Sequence, residues 1–314
     1  MALLEVRDLV VGFETRRGRL TAVDGVSFAV DRNETVGLVG ESGCGKSVTA
    51  KSLLRLLPEP PTHVAGQVLL DGDDVLKMAP PALRQVRGGR IAMIFQEPMS
   101  ALNPVLSIGY QIMEAIAAHE KVSRRERRDR TVELLREVGI PEPERRIDDY
   151  PHQLSGGMRQ RVMIAMALSM KPDVLVADEP TTALDVTIQA QILELIARLR
   201  EERKMGVLLI THDLAVVAET CDRVVVMYAG QIIEEAEPNA LFTAPRHPYT
   251  RGLLDSVPAG PDRPLEPIPG AVPDLDQLPN ACRFHPRCSK KEAKCETDAP
   301  ALEGAVRCHF PLDP

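Results

Sequence analysis

Gly40-Glu41-Ser42-Gly43-Cys44-Gly45-Lys46-Ser47 fits the pattern G-x-x-x-x-G-K-[ST] without a mismatch, and its flanks decide what it is. Before it, Thr35-Val36-Gly37-Leu38-Val39 has the run of a buried parallel strand. After it, Val48 to Leu57 carries Leu53, Leu54, Leu56 and Leu57, as the start of a helix does. In a strand–loop–helix context the glycines turn the backbone tightly and aim its N–H groups at phosphate oxygens, and the helix N-terminus adds about half a positive charge. Lys46 then bridges the β- and γ-phosphates and the Ser47 hydroxyl holds Mg²⁺. Gly40, Ser42, Gly43, Cys44, Gly45 and Val48 make up the rest of the candidate cradle. The plain alternative, a glycine-rich connector, leaves Lys46 and Ser47 in register unexplained.

Working outward, the 314 residues exceed one average domain, so an α/β domain with an appendage is expected. Charged residues make up 26% and interrupt every long apolar run, so no bilayer-spanning segment is expected. Met1-Ala2-Leu3-Leu4-Glu5 lacks a basic lead before an apolar stretch, which argues against a signal peptide and for a cytoplasmic location. A net charge of −7 argues against a general nucleic-acid binder.

Leu3 to Val6 and Leu20 to Val30, in strand-like pieces around Gly25, suggest a small antiparallel sheet ahead of the loop. Phe13 lies in the connecting stretch, either as a core aromatic or as a platform for a base. Val64 to Gly72 and Arg90 to Phe95 read as further strands, the second delivering Gln96 at the sheet edge where ligands of parallel sheets gather. From Pro98 to about Pro151 the pattern turns helical, over Ile108 to Ala118 and Ser123 to Val138. The arginines at 124, 125, 127, 128 and 130 share that stretch with Glu126, Asp129 and Glu133, as a solvated helix face would.

Ser155 is placed to cap the helix of Met158 to Met170, and Gly156 and Gly157 leave N–H groups open. Asp173 to Ala177 is an apolar strand ending in Asp178-Glu179. Two acids at the end of a buried strand suit a cation and a proton transfer: Asp178 as an Mg²⁺ ligand and Glu179 as the base that takes a proton from water. Capping of the next helix is the alternative. Val186 to Arg203 has helical spacing, Val207 to Ile210 is a strand delivering His212, and Val224 to Met227 with Ile232-Ile233 closes the domain around Ala229-Gly230.

Together these residues resemble one family closely, the nucleotide-binding subunits of ABC transporters. Gly40 to Ser47 matches Walker A, Gln96 the Q-loop, Leu154 to Gln160 the signature, Val174 to Glu179 Walker B, Ala183-Leu184-Asp185 the D-loop and His212 the H-loop. The resemblance implies a P-loop ABC ATPase domain over about 1–240, with a parallel-sheet core, a small antiparallel subdomain and a helical insertion near 98–165. It further implies ATP and Mg²⁺ as cofactors, with Ser47, Gln96 and Asp178 around the metal. Glu179, His212, Gln96 and Lys46 serve catalysis, and Ser155, Gly156, Gly157 and Asp185 complete a nucleotide site shared with a facing subunit.

Phe95 to Pro104, Tyr150 to Gln153 and Arg246-His247-Pro248-Tyr249 narrow the resemblance to dipeptide and oligopeptide importers, which nickel and glutathione importers also resemble. The partners implied are a second, related ATPase chain, two membrane permease subunits and, indirectly, an external peptide-binding protein, on the cytoplasmic face of the membrane. A soluble clamp ATPase is the alternative from another class, but the chain carries one set of motifs and no heptads.

Residues 241–314 form a cysteine-bearing extension. Pro258, Pro261, Pro264, Pro267, Pro269, Pro273 and Pro279 suit an extended linker. Cys282, Cys288, Cys295 and Cys308 follow with spacing C-x5-C-x6-C-x12-C, without the C-x2-C pairs usual in structural zinc sites. Four thiols in a small, loop-rich segment suggest a metal that adds folding energy, with Arg283, Arg287, Lys290, Lys291 and Lys294 offsetting thiolate charge. The tail resembles those of importer ATPases that carry a [4Fe-4S] cluster; zinc and free thiols remain the other readings, with His285 and His309 as substitute ligands.

Overall fold

The computed structural model describes residues 2–16, 18–96, 101–182, 184–256 and 267–313. Its elements begin with β1 (Leu4–Thr15), β2 (Gly18–Val30), β3 (Thr35–Val39), α1 (Lys46–Leu53), β4 (Thr62–Leu70) and β5 (Asp73–Asp74). They continue through α2 (Pro80–Val86), β6 (Ile91–Ile94), α3 (Ile108–Ala117), α4 (Arg124–Glu137), α5 (Pro143–Arg146), α6 (Gly156–Ala167), β7 (Val174–Asp178) and α7 (Val186–Arg203). Then come β8 (Gly206–Thr211), α8 (Leu214–Thr220), β9 (Arg223–Tyr228), β10 (Gln231–Ala236), α9 (Pro238–Thr243), α10 (Pro248–Asp255) and α11 (Ala293–Thr297). These fall into two compact units, one of Met1–Val30, Thr35–Leu76 and Leu209–Pro314, the other of Asp31–Glu34 and Lys77–Leu208.

In the first unit, β2-β1-β4-β5 form an antiparallel sheet in that order, with Leu4 opposite both Val30 and Leu70. β1 and β2 bury only part of their side chains, as strands with one wet face do. β2 runs unbroken through Gly25. Leu9 and Val11 of β1 pair with Val26 and Val23, so β2 carries an extra residue there, and the positive φ of Gly25 (63°) lies within that bulge. The same unit holds the order β10-β9-β3, with β3 parallel to β9 and β9 antiparallel to β10. All five residues of β3 are buried, as a strand covered on both faces requires.

In the second unit β6 lies parallel to β7, with Ile91 beside Val174 and Ile94 beside Ala177. β7 is buried throughout. The helical segment begins in earnest at α3, capped by Ser107, and α4, capped by Ser123, each side chain accepting a backbone N–H three residues on. The α4 arginines are exposed at 124, 125 and 128 and half-buried at 127 and 130, as on a solvated face; Arg128 meets Asp148 through two nitrogens (3.2 and 3.1 Å), and Arg130 pairs with Glu120. The expected start of this insertion at Pro98, with residues 97–100, lies outside the described residues, as do Pro258, Pro261 and Pro264 of the linker. From Pro267 to Ala281 the chain has neither helix nor strand.

The C-terminal part of the chain, in the first unit, is anchored at the start of α10. His247 caps that helix, its Nδ1 accepting the Tyr249 N–H at 3.0 Å. Its own N–H and that of Arg246 donate to the buried Glu234 carboxylate at 2.9 and 2.7 Å. Burial lowers the His247 pKa from 6.5 to about 3. The unfolded chain therefore takes a proton near pH 6.5 while the folded chain resists it until about pH 3. Stability from this residue is complete above the upper value and falls as the pH drops through that window, by ~1.4 kcal/mol per pH unit, or about 2 kcal/mol at pH 5. His247→Asn keeps an oxygen to accept the Tyr249 N–H and does not titrate. Its melting temperature should fall less than that of the parent between pH 7 and 5; equal slopes would show that His247 does not set the acid sensitivity.

Candidate functional site

The phosphate loop lies in the first unit, between β3 and α1. Gly40 (φ 153°) passes so close to β9 that a Cβ would sit 2.1 Å from the Met227 carbonyl oxygen, and at Gly45 (φ 109°) one would sit 2.8 Å from the Ala22 carbonyl oxygen. Only glycine fits at both. Gly45 occupies the N-cap position of α1 and brings no side chain to the helix N-terminus, the end whose dipole favours an anion. Lys46 is 5% exposed, and its ammonium donates to the carbonyl oxygens of Gly40 (2.7 Å) and Glu41 (3.0 Å), curling the loop around it. Cys44 is buried, and burial pushes its thiol pKa up. Ser42 and Gly43 are exposed, Ser47 and Val48 half-buried. Phe13 is half-buried in β1, paired with Leu20 and Thr62. His212 follows β8 and is exposed, just before Asp213 caps α8.

The second unit holds the acids. β7 delivers Asp178, 2% exposed, and the chain then turns through Glu179 at φ 48°, a left-handed conformation that a non-glycine residue adopts only at a cost of ~1–3 kcal/mol. That turn places the Glu179 carboxylate where Oε2 accepts from Gln96 Nε2 (2.9 Å) and from the Thr182 hydroxyl (2.8 Å). A carboxylate only accepts, so the Gln96 amide must present its NH₂ to it. The expected residues Gln96 and Glu179 thus meet; Thr182 joins them, though a threonine in a loop carries no distinguishing signal in the sequence.

Ser155 is the N-cap of α6, accepting the Met158 N–H at 3.3 Å. A Cβ on Gly157 would lie 2.7 Å from Cγ2 of Ile188, so this glycine also lets α7 approach α6. One on Gly156 would make an ordinary 3.6 Å contact with Leu184. Asp185 caps α7, accepting the Ile188 N–H at 3.0 Å. Ala183 lies outside the described residues.

The four tail cysteines line one cavity, with His247, Phe284 and His285 among its other walls. Among the described residues no cysteine is in a disulfide. The donor set suits a soft metal centre. The present arrangement does not: the cavity measures about 10 Å³, room for about one water, and among the described residues no group of three or more His, Cys, Asp or Glu is placed to hold a metal ion. Burial raises the pKa of Cys282 and Cys288, and that of Cys308 to about 11, so these groups stand as thiols and would have to shed protons to ligate. Of the expected charge partners, Lys290 lines the cavity and, with Lys291, acts on Cys288, whereas the two arginines are engaged elsewhere. Arg283 donates to Asp24 (2.5 Å) and the Ala229 carbonyl (2.6 Å), and Arg287 to the Glu41 carboxylate of the phosphate loop (2.7 and 3.0 Å).

Among the described residues no helix is long and apolar enough to cross a membrane. The family model described as "ABC transporter" matches residues 23–182, and "Oligopeptide/dipeptide transporter, C-terminal region" matches 233–295. The second match takes in Cys282, Cys288 and Cys295 and ends before Cys308. The chain is 47% identical to the dipeptide transport ATP-binding protein DppD of Escherichia coli (strain K12), over 100% of this chain and 98% of that one. It is 52% identical to the probable peptide ABC transporter ATP-binding protein y4tR of Sinorhizobium fredii, over 96% of this chain and 91% of that one. Among solved structures, the dimeric bacterial ABC transporter cassette MJ0796 superposes with a TM-score of 0.66 at 28% identity, covering 75% of this chain and 98% of that one; the same cassette has been solved after hydrolysis with ADP and Pi. A phosphate loop, an acid pair held at a strand end and likeness along the whole chain agree on one conclusion: this protein belongs to the ATP-binding proteins of the ABC transporter family, with the C-terminal region of its oligopeptide/dipeptide branch.

Proposed function

We propose that this chain is the ATP-hydrolysing subunit of an importer of di- or oligopeptides. The observation that carries the reading is the end-to-end identity of about half with proteins named for dipeptide and peptide transport, through the cassette and the C-terminal region alike. Cassette and extension divide near residue 240. In this reading Lys46 and the loop N–H groups hold the triphosphate, Ser47, Asp178 and Gln96 surround Mg²⁺, and Glu179 accepts the proton of the attacking water. His212 contacts the γ-phosphate, and Phe13 stacks on adenine. Ser155, Gly156, Gly157 and Asp185 engage the nucleotide held by a facing ATPase chain, so each site is complete only when two subunits close.

The facing chain is a second, related ATPase, and the pair works on the cytoplasmic face of the membrane beneath two permease subunits fed by a peptide-binding protein. Reconstituting the chain with its permeases in proteoliposomes tests this. ATP hydrolysis should rise when the loaded peptide-binding protein is added. Stimulation by nickel or glutathione instead would change the cargo, and no dependence on membrane subunits would defeat the transport reading.

For the tail we favour [4Fe-4S] over zinc, supported by four thiols gathered on one cavity, which would have to widen and release protons to take the cluster. The full chain purified without oxygen should contain iron and acid-labile sulfide in equal amounts. Zinc alone, or no metal, would end the cluster reading.

A further inference from the structure

Glu41 is the second residue of the phosphate loop, and every polar group it has is engaged. Its carbonyl accepts from Lys46 at 3.0 Å, and its N–H donates to the Tyr249 hydroxyl at 2.9 Å. Its carboxylate receives both terminal nitrogens of Arg287, at 2.7 and 3.0 Å. Tyr249 and Arg287 both come from the C-terminal extension, and both are fixed. Tyr249 is fully buried, in ring contact with Tyr228 and Phe284. The Arg287 side chain is 4% exposed, lies 5.8 Å from the centre of the Tyr228 ring, and donates through Nε to the Pro269 carbonyl at 2.8 Å.

A carboxylate inside a phosphate loop is an electrostatic liability, because it repels the anion that the loop must receive. A bidentate guanidinium cancels that charge and fixes the side chain in one geometry. Through the Glu41 backbone, the same pair of contacts also sets the carbonyl that orients Lys46. We propose that Arg287 and Tyr249 are positioning residues of the phosphate loop, acting through Glu41, so that affinity for the nucleotide triphosphate depends on an intact C-terminal extension. The inference rests on the reading of Gly40 to Ser47 as the triphosphate site.

The test measures MgATP and MgADP affinity, with the melting temperature alongside, for the full chain in its assembled complex. Arg287→Ala should weaken ATP binding by about tenfold, the lower end for a lost contact to a charged group acting at one remove, and weaken ADP less. Adding Glu41→Gln to Arg287→Ala should recover most of the affinity, because the stranded negative charge is gone. Tyr249→Phe should raise the Kd by a smaller factor, and Arg287→Lys, which keeps charge without the fork, should raise it by less than about tenfold, a result that can be read even if the alanine variant does not assemble. Unchanged ATP affinity in both Arg287 variants overturns the inference. So does a loss equal for ATP and ADP that Glu41→Gln fails to recover, which would mark Arg287 as a structural tie only. Lys46→Ala is the control for the underlying reading: if it too leaves binding intact, the loop assignment fails rather than the role of the extension.

Discussion

Glu179→Gln should lower ATP turnover of the assembled transporter by about 10²–10⁴-fold, the range for loss of a positioned general base, while ATP still binds. The local structure makes this substitution unusually clean. The Oε2 atom of Glu179 accepts from Gln96 Nε2 and the Thr182 hydroxyl, and a glutamine oxygen at the same place accepts both. The left-handed turn at φ 48° does not depend on which of two isosteric side chains it carries. Basicity is what disappears. The variant should therefore keep the melting temperature of the parent and retain unhydrolysed ATP, held in a closed pair of subunits, when assayed by filter binding after a single loading. Hydrolysis at the parent rate in the complete complex would remove Glu179 from the role of base.

Much of this fold can be read from periodicity. Val36 to Val39, Val174 to Ala177 and Val207 to Ile210 are unbroken apolar runs, and the structure buries all three in strands, because parallel strands have no wet face. Val186 to Arg203 keeps helical spacing and is a helix over that same range. What could not be read is contact across sequence distance. Gln96 and Glu179 both stand at the ends of core strands, but nothing in either segment says that one side chain will bond the other. Gly157 reads as an open N–H beside Ser155, yet the nearness of Ile188 shows a packing reason for the missing side chain as well. Arg287 is the sharpest case. Beside Cys288, in a basic stretch, it suggests a counter-charge for thiolates. Its partner is Glu41, and no local pattern identifies one acid among the 45 of the chain as the one it will reach.

Lys46→Ala should weaken ATP binding by about 10–150-fold, corresponding to the ~1.5–3 kcal/mol of a hydrogen bond to a charged group. In the present structure the ammonium is bonded to the carbonyls of Gly40 and Glu41, so the residue has two separable tasks, curling the loop and meeting the phosphates. Alanine removes both. The two stranded carbonyls should lower the stability of the nucleotide-free protein by about 1–3 kcal/mol, visible as a lower melting temperature without ligand. The missing charge should appear separately, as a smaller upward shift when MgATP is added, because ligand stabilisation scales with affinity at fixed concentration. Lys46→Arg distinguishes the tasks further. It keeps the charge, but a planar five-donor fork must enter a site shaped around a compact ammonium, so it should bind ATP more weakly than the parent. If Lys46→Ala lost only intrinsic stability and kept the full MgATP shift, the ammonium would be a tie within the loop, and the reading of Gly40 to Ser47 as the triphosphate site would fail.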